Sequence, residues 1–184
     1  MVGNFDRGDD EKRPDVERDL QDDRGHRSVN ELKGKTILSV NDGAKIGSVD
    51  DVLIDPNSLR IAALTVTSGG VFDRETNYVP ASDVNKWGKD AVLVEGREVF
   101  RTEADITDRE RWISAGNKLN GLTMVDSHGT RLGRIEDVLI DESGKIVSYR
   151  ISDSMMGGSS RDIPAGNTKA MGEDVVIVEA EGRI

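Results

Sequence analysis

The chain of 184 residues carries 35 acidic and 25 basic side chains, a net charge of −10, with only 35% hydrophobic and 4% aromatic residues. Cysteine is absent, which excludes disulfides, thiolate metal sites and cysteine nucleophiles. The acidic excess is spread along the chain without a basic block, so direct nucleic-acid binding and adhesion to anionic membranes are disfavoured.

Residues 1–28 contain nine acidic and six basic residues and few large apolar ones. Such a segment buries too little apolar surface to offset its ordering entropy, and it reads as a disordered charged arm. It has no apolar signal core, and no apolar run in the chain is long enough to cross a bilayer. The expectation is a cytoplasmic protein without membrane insertion.

Residues 29–96 are built from short β-branched runs separated by turn residues, an all-β pattern. Strands are predicted at Thr36–Val40, Ala44–Ile54, Arg60–Thr67, Tyr78–Pro80 and Ala91–Glu95. The tripeptide Asn41-Asp42-Gly43 makes the first turn and Asp55-Pro56-Asn57-Ser58 the second. A Gly-containing loop over 68–77 precedes the fourth strand. Ala81–Asn85 reads as one short helical turn, with Ser82 and Asp83 positioned to cap its free amides. Residues 97–111, with nine charges in fifteen, form a charged linker. Trp112 is placed to pack that linker onto a barrel, and Trp87 reads as a core residue.

Residues 112–184 repeat the first unit. Gly47-Ser48-Val49-Asp50-Asp51-Val52-Leu53-Ile54-Asp55 returns as Gly133-Arg134-Ile135-Glu136-Asp137-Val138-Leu139-Ile140-Asp141. Leu32-Lys33-Gly34-Lys35-Thr36 matches Leu119-Asn120-Gly121-Leu122-Thr123, and Val79-Pro80-Ala81 matches Ile163-Pro164-Ala165. The duplicated unit of about 70 residues places strands at Thr123–Ser127, Thr130–Ile140, Lys145–Ser152, Arg161–Pro164 and Val175–Glu179. Val49 and Val52, like Ile135 and Val138, are three apart, which a regular strand would send to opposite faces. A bulge near Asp50-Asp51 and Glu136-Asp137 resolves the conflict and bends the long strand. Five or six short strands per copy bury their inner face by curling into a barrel. The expected fold is therefore all-β: two tandem small antiparallel β-barrels, each with one short helical turn, packed about a pseudo-twofold axis.

The series L-x-G-x-T, G-x-[VI]-[DE]-D-V-L-I-D and [VI]-P-A, occurring twice, resembles the PRC-barrel family. That family includes the cytoplasmic domain of the photosynthetic reaction-centre H subunit and the C-terminal domain of a bacterial ribosome maturation factor. The resemblance covers residues 29–96 and 112–184 and implies non-catalytic barrels that dock onto other proteins.

The acidic positions Asp50, Asp51, Asp55, Glu136, Asp137 and Asp141 are the most tempting chemistry, since oxygen clusters hold Ca²⁺ or Mg²⁺. Adjacent strand residues point to opposite faces, however, so one carboxylate is expected to bind amides freed by the bulge while the others are solvated. His26 and His128 form no constellation, and no nucleophile elbow, P-loop or dinucleotide fingerprint is present. The chain reads as a non-enzyme without a cofactor. Its interaction candidates are Val71 and Phe72 in the first copy and Met155 and Met156 in the second, apolar residues amid polar and Gly neighbours in equivalent loops, which either fold back to plug the barrel ends or present a small apolar surface to a partner. The leading expectation is an adaptor that binds a protein partner of unnamed identity, with self-association left open. The alternatives are a barrel binding a small molecule or divalent cation, and an accessory factor of a ribosomal or photosynthetic reaction-centre assembly, the latter by family analogy alone.

Overall fold

The computed structural model describes residues 25–68, 75–153 and 158–180. In the first repeat the strands are β2 (Thr36–Ser39), β3 (Lys45–Asp55), β4 (Arg60–Ser68), β5 (Glu75–Pro80), β6 (Val84–Trp87) and β7 (Ala91–Val94). In the second they are β9 (Thr123–Asp126), β10 (Arg131–Ile140), β11 (Ile146–Ser152), β12 (Ser160–Pro164), β13 (Thr168–Met171) and β14 (Val175–Val178). Two further two-residue strands lead into the repeats, β1 (Arg27–Ser28) and β8 (Ile113–Ser114). Every predicted strand is present, with ends shifted by a few residues at most.

Each repeat curls into a six-stranded barrel-like sheet, in the order β5-β4-β3-β2-β7-β6 and β12-β11-β10-β9-β14-β13. The pairs are antiparallel except for β2 with β7 and β9 with β14, which run parallel. This corrects the expectation of wholly antiparallel barrels. The 3₁₀ turns Ala81–Asp83 and Ala165–Asn167 carry the chain on round the barrel without reversing it, so the closing pair is parallel. Ala81–Asp83 falls on the predicted helical turn, but no side chain caps it. Asp83 instead meets Arg101 at 3.3 Å.

The predicted bulges are where the motif placed them. The β3–β4 register shifts between Val49 and Asp51, and the β10–β11 register between Ile135 and Asp137. Val49 and Val52 are thereby both buried, as are Ile135 and Val138.

The arm boundary at residue 28 needs correction, because Arg27 and Ser28 form β1; residues 1–24 lie outside the described residues. The expectation of one helical turn per repeat is also corrected. Each repeat carries a second at its start, Val29–Leu32 in the first and the wider Ala115–Leu119 in the second, closed by Asn120 N–H to Ala115 C=O at 3.0 Å. The segment 97–111 contains three 3₁₀ turns. Val99 from it is buried, and Ile106 and Trp112 pack on an outer cluster of Leu53, Ala63 and Tyr78.

The lead-in strands are exchanged. β8, at the start of the second repeat, pairs with β3 of the first through Leu53↔Ser114 and Ile54↔Ile113. β1, at the start of the first, pairs with β10 of the second through Ser28↔Leu139 and Arg27↔Ile140. After each exchange the chain returns to its own barrel, with Gly34 N–H bonding Val49 C=O and Gly121 N–H bonding Ile135 C=O, both at 2.7 Å. A second crossing lies at the turns after β3 and β10, where Ile61 N–H reaches Gly144 C=O at 2.8 Å and Ile146 N–H reaches Leu59 C=O at 2.9 Å. Trp87 is buried, as predicted, and lies against Gly144 of the other barrel. One apolar cluster, from Val29 to Val178, runs through both barrels. Two undersized cores have become one, the arrangement that most increases buried area for domains this small.

The glycine of the duplicated motif is set by close approach. At Gly133 φ is +153°, and a Cβ would stand 2.6 Å from the Ser152 carbonyl oxygen. Gly129 is also left-handed, at φ +81°, but open space surrounds it. Gly133→Ala should therefore cost about 3 kcal/mol, strain and overpacking together, and Gly129→Ala about 1 kcal/mol. Urea unfolding midpoints of the two variants check the ratio.

Candidate functional site

The six acidic motif residues divide into three pairs, each with its own environment. Asp50 and Glu136 are exposed, and hydroxyls from other strands of the same repeat bond them, Thr67 of β4 to Asp50 and Ser160 of β12 to Glu136 at 2.8 Å.

Asp55 ends β3, Asp141 directly follows β10, and both organise the turns that follow. Asp55 accepts from Asn57 N–H at 2.9 Å and Ser58 Oγ at 2.8 Å. Asp141 accepts from Ser143 N–H at 2.8 Å, Ser143 Oγ at 2.7 Å and Lys145 N–H at 3.1 Å. Partial burial opposes their charge, but these donors outweigh it and hold both carboxyls below the usual carboxylate range.

Asp51 and Asp137 are buried, 7% and 8% exposed. Each binds the backbone amide next to it at the bulge, Val52 N–H and Val138 N–H at 2.8 Å, as expected of one carboxylate per motif. The remaining oxygen capacity crosses to the other repeat. Asp51 accepts from Ser114 Oγ, from Gly116 N–H at 3.0 Å and from Asn117 Nδ2 at 3.3 Å. Asp137 accepts from Ser28 Oγ and from Asn30 N–H at 3.1 Å. Ser28 and Ser114 also cap their own helical turns, accepting from Glu31 N–H at 3.2 Å and Asn117 N–H at 3.0 Å. The carboxylate of one repeat thus fixes the start of the other.

The fit around Asp51 is tight. A Cβ on Gly116 would stand 2.8 Å from Asp51 Oδ1 and 2.1 Å from Lys33 Nζ, whose ammonium lies 3.9 Å from the same carboxylate oxygen. In the second repeat Asn120 takes the place of Lys33 and donates Nδ2 to Asn30 Oδ1 at 2.7 Å.

Sequence reasoning missed Ser28, Asn30, Ser114 and Gly116. A signal was present, since Ser28 and Glu31 have the Ser-x-x-Glu spacing of a helix start. Among the described residues no group of three or more His, Cys, Asp or Glu is placed to hold a metal ion, and His128 is an exposed turn residue 4.0 Å from Asp126. No helix among the described residues is long and apolar enough to cross a membrane. The candidates Val71, Phe72, Met155 and Met156 lie outside the described residues.

The family model for the PRC-barrel domain matches the chain twice, over residues 25–100 and 113–184. The chain belongs to the PRC-barrel family. Each match takes in its exchanged lead-in, so the PRC barrel here includes a strand that pairs with its neighbour. An uncharacterised protein of Clostridium acetobutylicum is 27% identical over 77 residues, which make up 40% of this chain and 88% of that protein. That relative is thus little longer than one PRC barrel.

Removing the Asp51 carboxylate leaves Val52 N–H, Gly116 N–H and the Ser114 hydroxyl without their acceptor. Asp51→Ala should cost about 3 kcal/mol or more, as unsatisfied buried donors do, whereas Asp50→Ala should stay within about 0.5 kcal/mol. Chemical denaturation of both variants checks this contrast.

Proposed function

We propose that the protein is a non-catalytic cytoplasmic adaptor that captures a protein partner through two equivalent segments, Val71-Phe72 in the first repeat and Met155-Met156 in the second. The supporting observation is how the acidic motif is used. Asp51 and Asp137 spend their oxygens on cross-repeat bonds, and Asp55 and Asp141 on turns, so the chemistry that most suggested a reaction or an ion site is engaged in the fold. The candidates fall at equivalent places in the two repeats, between the third and fourth predicted strands of each. The strands on either side pair in register as far as Ser68↔Glu75 and Ser152↔Ser160. Apolar residues between such strands offer a partner a small contact of adaptable shape, and methionine suits the adaptable part. Two such segments on barrels that share one core can also act together on a partner with two matching sites, multiplying two weak affinities.

Phe72→Ser separates a docking residue from a barrel plug. An exposed docking residue should shift the melting temperature by no more than about 2 °C, whereas truncating a buried aromatic costs about 3–5 kcal/mol and should lower it by more than about 8 °C. With the fold intact, the triple variant Phe72→Ser, Met155→Ser, Met156→Ser should lose the partner that the unaltered chain captures from its native cell. Loss of melting temperature in Phe72→Ser, or undiminished capture by the triple variant, would contradict this function.

A further inference from the structure

Each repeat is a control for the other, and at one place the two differ sharply in chemistry. Arg27, Lys35 and Trp87-Gly88 of the first repeat correspond to Ile113, Leu122 and Met171-Gly172 of the second. In the second repeat Ile113 and Met171 are buried in the shared apolar cluster, and Leu122 packs against it. In the first repeat two cations stand where Ile113 and Leu122 stand.

Both cations converge on consecutive carbonyls. Arg27 donates Nε to Trp87 C=O and Lys35 donates Nζ to Gly88 C=O, each at 3.3 Å. β1 brings Arg27 there by pairing with Ile140 of β10, and Lys35 arrives directly before β2. The place lies at the seam of the barrels, where Trp87 packs on Gly144. Both cationic side chains are half-buried. Among the described residues neither is within ion-pair distance of a carboxylate. Partial burial holds the Lys35 ammonium below the usual lysine range; the like charge of Arg27 adds to this, while Glu31 and Asp90 oppose it.

Capping those carbonyls does not account for the pair. The second repeat builds the same strand end with Ile113 and Leu122, whose side chains have no donor to offer, so the fold does not require cations here. Holding two like charges together and partly out of water costs free energy that an anion between them would recover. Donors for that anion remain. After one bond each, the Arg27 guanidinium keeps both Nη groups and the Lys35 ammonium keeps two protons.

We infer that Arg27 and Lys35 form a binding site for a single small oxyanion of the phosphate class, held between the Arg27 Nη groups and the Lys35 ammonium. A guanidinium fork and an ammonium point charge are the two side-chain donors that suit such an anion. Glu31 and Asp90 near Lys35, with the net charge of −10, work against a polyanion, so neither nucleic acid nor an anionic membrane surface is the ligand. This site is separate from the segments Val71-Phe72 and Met155-Met156 and does not depend on their role.

Titration of the full chain with inorganic phosphate at constant ionic strength, followed by amide NMR, tests this. The Gly88 and Lys89 amides, joined through their peptide bonds to the Trp87 and Gly88 carbonyls, should shift with a dissociation constant of about 1 mM or tighter, while Gly172 and Glu173 stay still. Arg27→Ile combined with Lys35→Leu installs the residues that the second repeat carries. That variant should fold with an undiminished melting temperature and bind phosphate at least about tenfold more weakly, having lost two charge-assisted bonds. Lys35→Leu alone should weaken binding in the same direction. Lys89→Ala, at an exposed cation outside the pair, should bind as the unaltered chain does, read at Gly88. Binding to the unaltered chain weaker than about 1 mM, equal shifts with chloride, or undiminished binding in the double or single variant would overturn the inference.

Discussion

Two carboxylates taken out of water organise this molecule. A buried Asp is costly unless donors surround it, and neither repeat can supply the full set for its own. Asp51 completes its shell with Ser114, Gly116 and Asn117 of the second repeat, and Asp137 with Ser28 and Asn30 of the first. Once those bonds are made, each lead-in lies along the far half of the other repeat's long strand, and the helical turns bury Val29, Leu32, Ala115 and Leu119 between the barrels. Charge satisfaction, strand pairing and apolar burial all favour the same placement.

The duplication then has a physical meaning beyond economy of fold. One repeat alone would leave the second half of β3 or β10 with a neighbour on one edge only, a buried carboxylate short of donors, and a core of marginal size. Joining two repeats supplies each deficiency from the other half. The charged segment 97–111 adds to this, since Ile106 and Trp112 fasten it over the first barrel. Trp112, just past the segment, packs it onto the barrel as its position in the sequence suggested, and Ile106 is the anchor within the segment itself.

Much of the fold was legible because the repeat constrains it twice over. The Val49–Val52 spacing called for a bulge, and the bulge is there in both copies. Strands β6 and β13 were not legible, since Asn85-Lys86 and Lys169-Ala170 between their inward residues carry no β signal and only Trp87 and Met171 anchor them. Parallel closure followed from a turn that does not reverse the chain, which no residue spacing announces. The acidic motif was expected to supply one carboxylate to the bulge amides, and nothing in its spacing announced the cross-repeat bonds that Asp51 and Asp137 make. A two-residue strand such as Arg27–Ser28 has no periodicity, and its partner lies more than 100 residues away, so only tertiary pairing reveals it.

The central claim is that exchanged lead-ins and the Asp51 and Asp137 shells make the two barrels one cooperative unit. Differential scanning calorimetry of the full chain tests it most directly. A single transition whose calorimetric enthalpy equals its van't Hoff enthalpy is the predicted result. Two separable transitions, accompanied by release of a stable single barrel on cleavage within residues 97–111, would contradict it.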